Sequence, residues 1–447
     1  MVPVFIWDPK SDEPWIPGGA TRWWLHQSLS SLAASLRAAG SRLIIRRGPA
    51  AETLLELAAE IGANAVVWNR RYEPVAIARD TNLKDALSRA GLRAESFCSA
   101  LLQEPWAVQN LSRKPFQVFA PFWRHCLAKP DPGEPLPSPE YIAAPTRWPA
   151  SLSLELLELE PTRDWASGLR SAWTPGEAGA QKRIAHFFQT AAAHYAEARD
   201  VPSVEGTSRL SAHLHFGEIS PRQIWHAARL SGLAGWRESR FITELGWREF
   251  SHHLLYHFPH TPMEPLRAEF AHFPWKHDAA NLSTWQRGRT GYPIVDAGMR
   301  ELWATGWMHN RVRMIVASFL VKDLLIPWTE GAWWFWDTLV DADLAQNTLG
   351  WQWSAGCGAD AAPYFRVFNP SSQGEKFDTE GSYVRRWCPE LARVPNRWLH
   401  RPWEASPEIL ASAGVVLGGN YPRPIVEHAA ARIAALAAFA KLKETRG

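Results

Sequence analysis

The sequence predicts an α/β N-terminal domain with a parallel sheet, followed by a larger all-α domain. Three observations carry this. The first hundred residues alternate strand and helix signals, a proline-dense stretch follows, and beyond Gly176 the pattern is helical to the end. Such alternation implies parallel strands with helices on both faces. The α/β domain is placed at 1–128, a linker at 129–175 and the helical domain at 176–447.

In order, Val2–Trp7 reads as a buried strand. Thr21 is the expected cap of a helix running to about Ala39, with Gly40 as its stop. Leu43–Ile45 reads as a strand, Glu52–Ile61 as a helix, and Ala65–Trp68 as a strand. A helix from about Val75 to Ala90 and a strand from Leu92 to Phe97 follow. The domain is Rossmann-like by pattern alone, because no P-loop and no GxGxxG follows a strand. Lys129–Pro139 is too rich in proline for a helix or central strand. Helices are expected at 178–199, 220–231, 237–257, 293–304 and 310–325, and a last one from near Pro424.

A chain of 447 residues with 46% hydrophobic content is long enough for two or three cored domains. Its net charge of +3 says little about partners. Cys98, Cys126, Cys357 and Cys388 lie far apart, without a CxxC pair, which fits a reducing cytoplasm. No apolar run approaches the roughly 20 residues of a membrane span, and no signal peptide is evident. Tryptophan outnumbers both other aromatics, with 26 Trp against 19 Phe and 8 Tyr. Ten of them fall between Trp275 and Trp353. That excess points to stacking on flat ligands, to electron transfer, or to both, with packing accounting for most individual positions.

Four local patterns bear on chemistry. His253 and His257 are spaced as zinc ligands can be, beside His252 and His260, but Leu254 stands where a metalloprotease glutamate belongs. No metal is expected. Glu244 sits among apolar residues and reads either as a surface charge or as a buried acceptor. Asp341-Ala-Asp343-Leu-Ala-Gln-Asn347 suits a metal, a ribose contact or a solvated loop. Thr207-Ser208-Arg209-Leu210-Ser211 suits phosphate binding or a helix cap.

Four stretches, taken together, resemble the DNA photolyase/cryptochrome family. They are Thr207–Ser220, Thr290–Arg300, Gly306–Met314, and Trp351-Gln-Trp353 through Phe368–Asp378. The resemblance runs over nearly the whole chain, and Trp68-Asn-Arg-Arg-Tyr72 makes it most like bacterial cyclobutane pyrimidine dimer photolyases. It implies an antenna domain, a linker and an FAD-binding catalytic domain. It also implies light-driven repair of UV-damaged DNA, in which excited reduced FAD passes an electron to a flipped-out dimer.

Carried over, the resemblance assigns roles. Tyr195 and Thr207, Ser208, Arg209, Leu210 and Ser211 would hold the FAD phosphates and ribityl chain. Phe241, Arg248, Asn310 and Arg313 would line the cofactor, Asp341 would pair with Arg313, and Asp343 would contact the flavin edge. Asn347 would sit beside the reactive flavin nitrogen. On the substrate side, Trp247 and Trp353 would wall the dimer slot, Glu244 would bond the pyrimidine edge, and Met314 would pack on the dimer. Arg199 and Arg311 would hold neighbouring DNA, and Trp351, Trp328 and Trp275 would relay electrons.

Six-four photolyases use two histidines where this chain has Asn310 and Met314, so cyclobutane-dimer repair is the expected reaction. The alternatives are a blue-light signalling cryptochrome and a generic flavoprotein oxidoreductase. Asn347 and an end at Gly447 without a signalling tail favour repair, and no pyridine-nucleotide motif supports an oxidoreductase. Two departures stand out. The family begins with a further strand and helix before the Val2 strand, so a truncated or misassigned start is expected. Tyr72-Glu73 is followed by Pro74-Val75-Ala76 instead of the Asn-Glu pair that binds methenyltetrahydrofolate in some relatives. A different folate site, a deazaflavin or no antenna all stay open. The protein is expected to be a cytoplasmic monomer.

Overall fold

A computed structural model describes residues 1–360 and 365–444. Gly447, the expected chain end, lies outside the described residues. The chain divides into two compact units. One comprises Met1–Thr190, Ser208–Pro259 and Val340–Ala345, and the other Ala191–Thr207, His260–Leu339 and Gln346–Gly447.

In the first unit, β1 (Val4–Trp7), α1 (Gly19–Ala38), β2 (Ile44–Arg47), α2 (Ala50–Ile61), β3 (Ala65–Asn69), α3 (Pro74–Arg89) and β4 (Arg93–Phe97) follow the expected order. The strands pair in parallel, Val4 opposite Ile44 and Ala65 opposite Arg93. Among the described residues the ladder is divided into two pairs, β1 with β2 and β3 with β4, where one sheet was expected. Each pair is closed by its own crossover helix, as parallel neighbours require.

Thr21 does not cap α1. The cap position is Gly18, without a side-chain bond, and Thr21 is buried inside the first turn. Gly40 does end the helix: its φ of +80° is left-handed, and a Cβ there would meet the Tyr141 ring at 2.9 Å. Pro74 opens α3, where the missing N–H costs nothing.

Residues 129–175 are extended, as the prolines dictate, yet pinned to the first unit. Ile142 N–H donates to Ala39 and Leu152 N–H to Ile45. Leu157 and Leu159 bury against Trp7, Leu29 and Ile45. Each buried leucine contributes roughly 1.5–3 kcal/mol. Short helical turns at Leu154–Leu157 and Ser167–Ala172 interrupt this stretch.

Most expected helices form with shifted ends. The 220–231 helix is Pro221–Leu230, set by a capping box: Gln223 N–H donates to Ser220 Oγ at 3.1 Å, and Ser220 N–H to Gln223 Oε1 at 2.8 Å. The 237–257 helix is Arg240–His257, capped by Ser239. The 178–199 expectation splits into Glu177–Thr190 and the single turn Tyr195–Ala198. Asn310–Ser318 passes into one wider turn, Phe319–Asp323, instead of running on as α-helix to 325. The last helix starts at His428, not near Pro424, because the Glu427 carboxylate takes the Ala429 and Ala430 N–H groups.

In the second unit, buried Asp296 ties the Thr290 loop together. It accepts from Thr290 N–H (2.6 Å) and Oγ (2.7 Å), Gly291 N–H (3.0 Å) and Tyr421 OH (2.9 Å).

Candidate functional site

The Arg240–His257 helix carries Phe241, Glu244, Trp247 and Arg248 at spacings of three and four residues, which brings them onto adjoining faces. Phe241 is buried against Phe187, with ring centroids 4.5 Å apart. Glu244 is half-buried, between the two readings its composition allowed. Trp247 lies flat on Phe119, centroids 3.8 Å apart and planes at 9°, which braces one face of the indole. Gly246, beside it, leaves room for the Trp123 ring, since a Cβ would fall 2.5 Å from that indole. Arg248 is buried and donates to the Ala100 carbonyl at 2.5 Å.

The Ser208–Ser211 run enters a short helix, Ser211–His215, through an unusual backbone. Arg209 adopts φ +51°, a left-handed conformation that a non-glycine residue holds at a cost of about 1–3 kcal/mol. Its guanidinium lies 4.5 Å from the Trp173 ring. Ser211 Oγ donates to Asp341 Oδ2 at 2.6 Å, so two segments picked out separately in the sequence meet.

Asp343, two residues on, is buried and lies 3.4 Å from His252 Nε2 and 3.9 Å from His215 Nδ1. Burial alone would raise its pKa. The charge of His252, the neighbouring ring nitrogens of His215 and His252, and nearby Arg248 overcome that and hold the carboxyl well below its usual range.

In the second unit, Arg199 and Arg311 converge on Asp200, Arg311 at 2.8 Å and Arg199 at 4.0 Å. Arg199 also covers Tyr195 at 5.6 Å and Arg311 covers Phe377 at 4.4 Å, while Met314 Sδ receives an Arg311 N–H at 3.9 Å. Asn310 is exposed at the first turn of its helix, and Arg313 Nε is held by the Met308 carbonyl at 2.7 Å. Thr207 is half-buried after Gly206, where a Cβ would strike the Ala198 carbonyl at 2.6 Å. Asn347 donates to the Ala332 carbonyl at 3.0 Å. Trp351 is buried, edge-on to Phe335 (4.9 Å) and Trp285 (6.2 Å). Trp328 is buried at the start of the Trp328–Thr338 helix, Trp275 sits 4.4 Å from Phe273, and Trp353 is half-buried.

Sequence reasoning passed over three buried groups. His252 pairs with Asp343. Asp296 organises a loop. His309 caps the Asn310–Ser318 helix by accepting from Arg311 N–H at 3.2 Å. Each lies inside a stretch already quoted; Asp343 for His252 and Tyr421 for Asp296 are remote partners, whereas His309 caps through Arg311, two residues on. His253 accepts from the Phe116 N–H at 3.1 Å, which commits it to backbone, and among the described residues no group of three or more potential ligands is placed to hold a metal.

Two family models match the chain: "DNA photolyase" over residues 1–140 and "FAD binding domain of DNA photolyase" over 241–441. Deoxyribodipyrimidine photo-lyase of Agrobacterium fabrum is 50% identical, covering 100% of this chain and 93% of that protein. The chain belongs to the DNA photolyase family. Cryptochrome-1 of Arabidopsis thaliana is 40% identical, covering 95% of this chain and 64% of that protein. The crystal structure of a bacterial class III photolyase from Agrobacterium tumefaciens superposes with a TM-score of 0.96, at 49% identity, covering 99% of this chain and 92% of the other. Its α/β and helical architecture is thus a photolyase fold. No helix among the described residues is long and apolar enough to cross a membrane.

Proposed function

We propose that this protein is a deoxyribodipyrimidine photo-lyase, repairing cyclobutane pyrimidine dimers in UV-damaged DNA with light. The observation that carries this reading is the set of side chains on the Arg240–His257 helix, with half-buried Glu244 one turn from a Trp247 already stacked on Phe119.

The residues present fit FAD. The left-handed turn at Arg209, flanked by the hydroxyls of Thr207, Ser208 and Ser211, suits a diphosphate, and the ionised Asp343 suits ring N–H donors. Phe241, Arg248, Asn310, Arg313, Asp341, Asn347 and Tyr195 complete the proposed cofactor set. When bound, reduced FAD supplies light absorption and a one-electron donor. The chain's own residues do the rest. Trp247 and Trp353 replace the stacking a flipped dimer loses. Glu244 hydrogen-bonds the pyrimidine edge, and Met314 packs beside it. Arg199 and Arg311, with Asp200 between them, hold the adjoining backbone. Trp351, Trp328 and Trp275 carry electrons inward when the flavin needs reduction.

The division into an antenna domain (1–128), a linker and a catalytic domain (176–447), a cytoplasmic location and a monomeric state belong to the same proposal. A second chromophore, folate or deazaflavin, is the open part of it. A repair assay with defined lesions tests the reading. Light-dependent loss of cyclobutane dimers is expected, and robust six-four repair without dimer repair would overturn it.

A further inference from the structure

The pairing of His252 with Asp343 has no counterpart among the assigned roles. His252 is buried on the Arg240–His257 helix, and both its ring nitrogens face oxygen acceptors. Nδ1 lies 3.1 Å from the Arg248 carbonyl, and Nε2 lies 3.4 Å from Asp343 Oδ2. A carbonyl and an ionised carboxylate only accept. A neutral imidazole has one N–H and would leave a lone pair against one of these oxygens; an imidazolium satisfies both.

We infer that His252 is a positioning residue which, as an imidazolium, keeps Asp343 ionised and oriented and so tunes the flavin that Asp343 would contact. This rests on the proposed contact between Asp343 and the flavin edge. The surrounding charges are balanced around the pair. On its own helix His252 has Arg248, which opposes its charge, and Glu249, which supports it. From other segments come Asp343, His215 beside Asp343, the edge of the Tyr72 ring at 6.3 Å, and Glu73, which opposes Asp343 and is itself neutralised by Arg71. Burial pulls the His252 pKa down, but the charge and hydrogen bond of Asp343 outweigh it and leave it raised. A cation held at this point favours the reduced, more negative form of a flavin beside Asp343.

The test combines NMR titration of ring-labelled histidine with flavin potentiometry on the FAD-loaded protein. His252 should titrate above the ordinary histidine range, and Asp343→Asn should bring that midpoint down. His252→Gln should shift the flavin potential to more negative values, and His252→Lys should restore it. A wild-type midpoint at or below the ordinary value, or His252→Lys behaving as His252→Gln, overturns the inference. If Asp343→Asn lowers the midpoint while His252→Gln leaves the potential unmoved, the pair exists but the Asp343 contact with flavin fails, and the tuning role falls with it. A His252→Gln protein that does not fold leaves the titration and Asp343→Asn arms to decide.

Discussion

Gly331 and Trp351 share one space: a Cβ on Gly331 would lie 2.0 Å from Trp351 Cη2. The indole is buried, with its edge toward Phe335 and Trp285, so it has no room to withdraw. Gly331→Ala should therefore force Trp351 from its position at a cost of about 1–3 kcal/mol, read by chemical denaturation. It should also slow flavin photoreduction. Trp351→Phe separates the two effects, because it should slow photoreduction while sparing repair by pre-reduced protein. Photoreduction unchanged in both variants would remove Trp351 from the relay.

The stack of Trp247 on Phe119 predicts a second-site effect on lesion binding. Phe119→Leu should cost about 1 kcal/mol of stability through the lost ring pair. It should weaken affinity for dimer-containing DNA while leaving flavin absorbance intact. Trp353→Ala should weaken the same affinity by roughly tenfold or more, since one base–aromatic stack contributes about 1–3 kcal/mol. Equal affinity for damaged and undamaged DNA in wild type would sink both.

Two buried histidines predict acid sensitivity, one in each unit. Burial, with His257 nearby, pushes His253 down to about 3. Burial lowers His309 to about 4, with Asp200 opposing and Arg311, Arg313 and Arg199 assisting. Unfolded histidine titrates near 6.5, so both groups take up protons more readily when unfolded. Their contribution is complete above about pH 6.5 and is lost as pH falls toward the folded values. Between pH 7 and 5 each should forfeit about 2 kcal/mol. His252, whose pKa is raised, works in the opposite direction: its contribution is present at low pH and is lost as pH rises through its folded value. His309→Gln should flatten its share of the slope in urea unfolding, and identical slopes with and without His309 would refute the assignment.

Asp296 accepts four hydrogen bonds while buried, so Asp296→Asn sets an amide N–H₂ against donors. About 1–3 kcal/mol of stability should be lost for each donor left unsatisfied. Thermal unfolding measures this. A variant as stable as wild type would mean that the Thr290 loop does not depend on the carboxylate.

Local signals were enough wherever backbone chemistry decides the outcome. The strand and helix order to Phe97 follows from alternation, glycine and proline placement, and the Ser220/Gln223 cap is written in adjacent residues. Packing decides what local signals leave open. Thr21 can cap a helix, but burial drew it into the first turn. Residues 129–175 look like a tether, but Leu157 and Leu159 find apolar partners more than a hundred residues away.

The candidate site divides in the same way. Sequence alone determined the order of elements, through local periodicity and punctuation, and the residues of the candidate site were named by the resemblance of four stretches to the photolyase/cryptochrome family. Tertiary structure alone decided which of them meet: Ser211 with Asp341, Trp247 with Phe119, Gly331 with Trp351, and His252 with Asp343. Those pairings depend on close packing and on the desolvation that makes a buried charge seek a partner. Neither is a property of any one stretch of chain.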